Sequence, residues 1–155
     1  LLQRIHIWLP NCPDMPENSC HQHSYDIESL VVAGRMRSDV FGFKAEEGGP
    51  DLEFAVSYEG KTSIQSPSGR RGHLLPITSF ETIAGASYRL EAGVIHRVEV
   101  VERPCITLLQ TQERHIPIFT YGQEDEVAFE RRLCCEKEAE KIRRYLMVAA
   151  SQRKA

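Results

Sequence analysis

The sequence predicts an all-β fold, and three observations carry that expectation. Leu52, Phe54, Val56 and Tyr58 alternate with other residues, the period-two signature of a strand with one buried face. Between Leu74 and Leu109, apolar runs recur at short intervals, separated by Gly and Pro turn signals. An amphipathic helical pattern enters only after Gln123. Many short strands in this order point to an antiparallel sandwich or barrel. The composition fits a globular chain: 155 residues, 41% apolar and 26% charged, are enough for one domain with a sizeable core.

Taken in order, residues 4–9 alternate weakly and read as a first strand. Pro10, Asn11, Pro13, Asp14, Pro16 and Asn18 then enforce an extended, non-helical connection. Residues 29–32 form a strand expected to turn at Gly34, and residues 35–43 the next, with Met36, Val40 and Phe43 apolar. A turn at Glu46, Glu47, Gly48, Gly49 and Pro50 leads into the alternating strand of Leu52 to Tyr58. Glu59 and Gly60 make a hairpin into residues 61–65. Residues 66–72, polar and basic, read as an exposed loop with Arg70 and Arg71 at a solvated tip. Strands follow at residues 77–83, 87–90 and 95–101, the last two separated by the turn at Glu91, Ala92 and Gly93. After an interruption at Pro104, residues 105–110 and 116–121 complete a β domain spanning residues 1–122. Residues 123–155 are expected to be helical, because Val127, Phe129, Leu133, Ile142, Tyr145 and Leu146 stand among alternating charges without Gly or Pro. Such a tail packs on the same domain or on a partner subunit, which makes a homodimer one expectation.

Charge and cysteines narrow the function classes. A net charge of -3 offers no attraction to nucleic acid or to an anionic membrane surface, and no apolar run is long enough to span a bilayer. Residues 1–6 lack both a signal-peptide layout and a Met, as a trimmed start would. Five cysteines (Cys12, Cys20, Cys105, Cys134 and Cys135) are an odd number without framework spacing, so reduced thiols and a cytoplasmic location are expected. No Cys-x-x-Cys is present, which argues against a structural zinc ribbon. Cys105 reads as a small core residue, and Cys20 faces away from His21 by strand parity.

Chemistry concentrates at His21 and His23, which project from the same face of a strand and can share one metal ion. A third ligand, His96, arrives after the Gly93 turn at the beginning of a strand. Three imidazoles, with or without a carboxylate, hold a divalent transition metal and leave positions open. Glu28 is the conditional fourth ligand. Counting by twos from the histidines selects Tyr25 and Ile27, so Glu28 joins them only if the strand bulges. Asp26 reads as an acceptor orienting an imidazole, as a turn residue, or as part of the pocket.

These residues resemble the cupin superfamily. His21-x-His23 followed by Glu28 and Gly34 is similar to its first motif, and Gly93-x-x-His96 to its second. The spacing from Glu28 to Gly34 is one residue shorter than the family's usual motif. The resemblance covers residues 5–121 as architecture and does not account for the tail. It implies a double-stranded β-helix, a jelly-roll barrel with the ligands aimed inward. A site of three histidines alone resembles the thiol dioxygenases among cupins, which implies iron(II), dioxygen and a small amino-acid- or thiol-like substrate. Zinc, manganese or nickel would serve a redox-neutral isomerase, epimerase or lyase, and a non-catalytic ligand-binding barrel is the third class.

Tyr25, Asp26, Tyr58, Tyr88 and Arg97 are the candidates for the substrate pocket. An inward Arg would select a carboxylate through paired hydrogen bonds. Of the remaining histidines, His6 is expected on a strand face, His73 in solvent and His115 on an exposed loop.

Overall fold

Alternation and β-branched runs resolve into strands longer than the punctuation of the sequence suggests. The computed structural model describes residues 2–10, 20–59, 62–122, 128–130, 136–137, 140–144 and 147. Among these, the strands in chain order are β1 (Leu2–Trp8), β2 (Cys20–His21), β3 (Tyr25–Ala45), β4 (Asp51–Glu59), β5 (Thr62–Ile83), β6 (Ser87–Leu90), β7 (Ile95–Glu113), β8 (Phe119–Gly122) and β9 (Ala128–Glu130). All pair antiparallel, and the circuit β7–β2–β8–β4–β5–β3 returns to β7, so the sheet closes on itself. β1 extends it beyond β7, β6 pairs the first part of β3, and β9 pairs the start of β5.

Three breaks expected from the sequence do not end strands. Gly34 is a kink inside β3, where the pairing with β7 slips between Val31 and Met36. Its φ of 75° favours glycine, and a Cβ there would collide with the carbonyl oxygens of Glu102 and Pro104. Glycine is therefore needed for close approach of two strands, not for a turn. Pro104 falls in the same slip of register, where β3 offers its neighbours no partner, so its missing N–H leaves no gap in that ladder.

Residues 66–72 are the third case. They continue β5 along β4, with Phe54 opposite Pro67 and Leu52 opposite Arg71. The residues between form a bulge in which Ser68 Oγ (2.9 Å) and Arg70 Nη1 (2.9 and 3.1 Å) bond the carboxylate of buried Glu53. Arg70, expected at a solvated loop tip, is thus half of an ion pair. The sequence concealed this because the acid it serves sits on another strand.

Among the described residues, three apolar clusters fill the fold. Ile27, Leu90 and Leu109 pack with Tyr25, Val40, Phe80, Tyr88 and Val94. Val31, Met36 and Cys105 pack with Trp8, Val98 and Val100. Cys20, Ile95 and Tyr121 pack with Phe41, Phe43, Leu74 and Phe119. Each side chain of this size removed from water contributes about 1.5–3 kcal/mol. Cys20 and Cys105 are buried free thiols, and burial pushes Cys105 up to about 11. Cys12, Cys134 and Cys135, like the Pro-rich connection after Pro10, lie outside the described residues.

The tail departs from the helical expectation at its start. Phe129 lies in β9, paired through residues 128–130 with Thr62 to Ile64. Helix is found at residues 136–137, 140–144 and 147, and the rest of the expected apolar stripe other than Ile142 lies outside the described residues. Among the described residues no helix is long and apolar enough to cross a membrane.

Candidate metal centre

Strand pairing assembles the site. β2 lies between β7 and β8, with His21 opposite His96 on one side and opposite Thr120 on the other. Directly opposed residues point to the same face, so His21 and His96 meet across the ladder. His23, two residues beyond His21, joins them. The ring centroids of His21 and His96 are 4.5 Å apart, those of His21 and His23 4.8 Å, and those of His23 and His96 5.1 Å. Their ligand nitrogens all lie within 4.8 Å of one another. Nitrogens bound to one transition metal sit about 3 to 3.5 Å apart, so the trio is within small side-chain rotations of that spacing.

The turn that delivers His96 is fastened to the short connection between β2 and β3 that carries His23. Gly93, with φ 81°, donates its N–H to the carbonyl of His23 at 3.0 Å. Buried Asp26 accepts the Ala92 N–H at 2.9 Å and two bonds from Arg114 at 2.9 and 2.6 Å, with Arg89 at 3.7 Å. The Arg114 hydrogen bonds, helped by Ala92, hold the Asp26 carboxyl below its ordinary value. Asp26 therefore acts as a clamp on the turn rather than on an imidazole or a substrate.

His23 and His96 are held neutral. Burial, reinforced by His21 and then by His96, Arg4 and His6, lowers His23 to about 2. Burial and His21 lower His96 to about 4, against a raising contribution from the Val94 carbonyl. That carbonyl lies 3.0 Å from His96 Nδ1 and accepts its N–H, which leaves the lone pair on Nε2. A neutral imidazole with its donor nitrogen occupied elsewhere is the form that coordinates a metal.

The other expected residues distribute unevenly. Glu28 is absent from the metal-competent group, since β3 runs without a bulge from Tyr25 to Val31 and keeps it off the histidine face. It is exposed and lines a surface groove of about 510 Å³ with Gln3, Ile5, Leu30, Ser87 and Leu108. Tyr25 does join the site: its ring stacks on His23 at 4.7 Å and 13°. Tyr58 is half exposed at 53%, yet within electrostatic reach of the Tyr25 hydroxyl. Tyr88 packs against Phe80 in the apolar interior. Arg97, next to His96 on β7, faces the other way; it pairs with Asp39 at 2.9 Å and lies over Phe41. It is not a pocket residue, because successive side chains on a strand alternate.

His6 makes an edge contact with Trp8 on β1, His73 approaches exposed Glu46 at 3.7 Å, and His115 is exposed.

Three neighbours of the site escaped the sequence reading. Arg4 of β1 donates to the Tyr25 hydroxyl at 2.7 Å and lies over its ring. Thr120 and Phe54 stand beside His21 in the row that crosses β2, β8 and β4. Alternation on β1 could have put Arg4 on the same face as His6 and Trp8, but only the pairing of strands places that face beside Tyr25. Comparison with protein-family models, curated proteins and solved structures finds no match to this chain.

Proposed function

We propose that this chain is a mononuclear metal-dependent oxygenase, with His21, His23 and His96 holding iron(II) and a small polar, amino-acid- or thiol-like molecule as substrate. One observation carries the reading: among the described residues, three imidazoles converge with no carboxylate in their group. The donor set suits a divalent transition metal, since the His96 lone pair is freed at Nε2 and both His23 and His96 stay neutral at ordinary pH. The resemblance of His21-x-His23 and Gly93-x-x-His96 to cupin motifs favours iron, and the closed antiparallel sheet is compatible with a cupin jelly roll.

When bound, iron would supply the redox chemistry and open positions for substrate and dioxygen. The protein's own part is orientation and exclusion. Val94 fixes the ring of His96, and Tyr25 stacks on His23. Arg4 places a cation beside the Tyr25 ring, where it favours an anionic group on the substrate.

The test is iron analysis of protein purified anaerobically with iron(II), followed by oxygen-consumption assays with small thiols and amino acids. Bound iron at one per chain and substrate-dependent oxygen uptake support the reading. Turnover that persists under strict anaerobiosis would replace the oxygenase with a redox-neutral lyase or isomerase at the same histidines. Absence of bound metal in wild-type protein would sink both.

A further inference from the structure

Thr120 lies directly opposite His21 on β8, with Phe54 opposite it on β4. Across β2 the same row continues to His96 and then to Val40 of β3. Opposed residues share a face, so the Thr120 side chain belongs to the imidazole face of the sheet. It is 9% exposed, and its Oγ1 has no hydrogen-bond partner among the described residues. Buried hydroxyls are nearly always bonded, and Thr usually finds a nearby carbonyl when nothing else is offered. Valine would fill the same volume without an orphaned oxygen. Among the described residues Ser29 and Ser38 also carry buried, unpaired hydroxyls, but Thr120 is the one whose row crosses the imidazoles, so its hydroxyl is available to a molecule bound there.

The charge of the site says what kind of molecule that is. Imidazole ligands bring no charge of their own, so both positive charges of a divalent ion stay uncompensated, and Arg4 over the Tyr25 ring adds to them. A hydroxyl can donate to an anion's lone pair. Resting on the metal-site reading above, we infer that Thr120 Oγ1 donates a hydrogen bond to a small anionic ligand bound beside the three histidines, which makes Thr120 a ligand-positioning residue of the site.

The test uses cobalt(II)-loaded protein and azide as the probe anion, followed through the visible cobalt spectrum. Thr120→Val is expected to bind cobalt as wild type does but to bind azide about 5- to 10-fold more weakly, with Thr120→Ser restoring azide affinity. Metal-free Thr120→Val is also expected to melt no lower than wild type, and up to about 4 °C higher, because an unsatisfied buried group has been removed. Equal azide affinity in the valine variant overturns the inference, as does a lowered melting temperature or a failure to fold, either of which would assign the hydroxyl a structural partner. If wild-type protein takes up no cobalt, the metal reading itself has failed. That outcome is told apart by the cobalt titration, before azide is added.

Discussion

The strands β2, β7 and β8 present two faces of opposite character. On one, Cys20, Ile95 and Tyr121 are closed over by Phe43 and Leu74, and the polar groups among them are matched. Gln22 accepts from the Tyr121 hydroxyl at 3.2 Å and donates to the Pro117 carbonyl at 3.1 Å, while Glu53 takes Ser68 and Arg70. On the other, three imidazoles crowd within 5.1 Å with, among the described residues, no acid in their group and no partner for the buried hydroxyl next to them. The first face has used up its bonding capacity. The second retains bonding capacity for something that is not protein, and local inconsistency of this sort is where function is expected. The contrast arises from alternation alone, because Cys20 and His21, Ile95 and His96, or Tyr121 and Thr120 are chain neighbours.

Replacements on each face should break different properties. The largest effect is expected from His96→Ala. Loss of the outer partners of metal ligands costs about 10- to 100-fold in affinity, and loss of a ligand should exceed about 100-fold in a cobalt titration. Acid should come next. Below pH 6.5 an unfolded histidine takes up a proton that native His96 resists until about pH 4. The unfolded state then binds more protons, so stability falls as pH drops through that window, by on the order of 3 kcal/mol. Urea titrations of metal-free protein from pH 7 to 4 should show this limb, weakened in His96→Ala.

On the saturated face, Arg70→Met strands the buried Glu53 carboxylate. It should lower stability by about 2 kcal/mol while cobalt affinity stays within about two-fold, the reverse of the His96 result. Smallest of all, Glu28→Gln should leave cobalt affinity unchanged and stability within about 0.5 kcal/mol. A marked loss of metal by that variant would show the carboxylate reaching the site after all.

Much of the site was legible because it depends on parity and on turns. On one strand His21 and His23 would share a face at any register; β2 ends at His21, yet the two rings still meet at 4.8 Å, and the Gly93 turn marks where His96 enters its strand. The parity argument against Glu28 needed only the absence of a bulge. What the sequence did not disclose depends on partners from distant strands. Arg70 looks like loop until Glu53 is placed beneath it, and Asp26 looks like a pocket acid until Ala92 and Arg114 arrive. Thr120 is one threonine among many until it is paired with His21. Strand length was misjudged for the same reason. Gly34 and Pro104 usually punctuate, but here they accommodate each other where the register shifts between Val31 and Met36, and both strands run on.

The Gly93-to-His23 hydrogen bond and the opposition of His21 to His96 also set when the site can exist. Its ligands come from opposite ends of the β domain, and in an unfolded chain the His21-x-His23 pair alone would hold a metal only weakly. Pairings so distant in sequence form slowly, since their loop-closure entropy must be overcome first. The ion would therefore be a late arrival, captured by a sheet that has already closed, and its release by a chelator should precede unfolding rather than cause it.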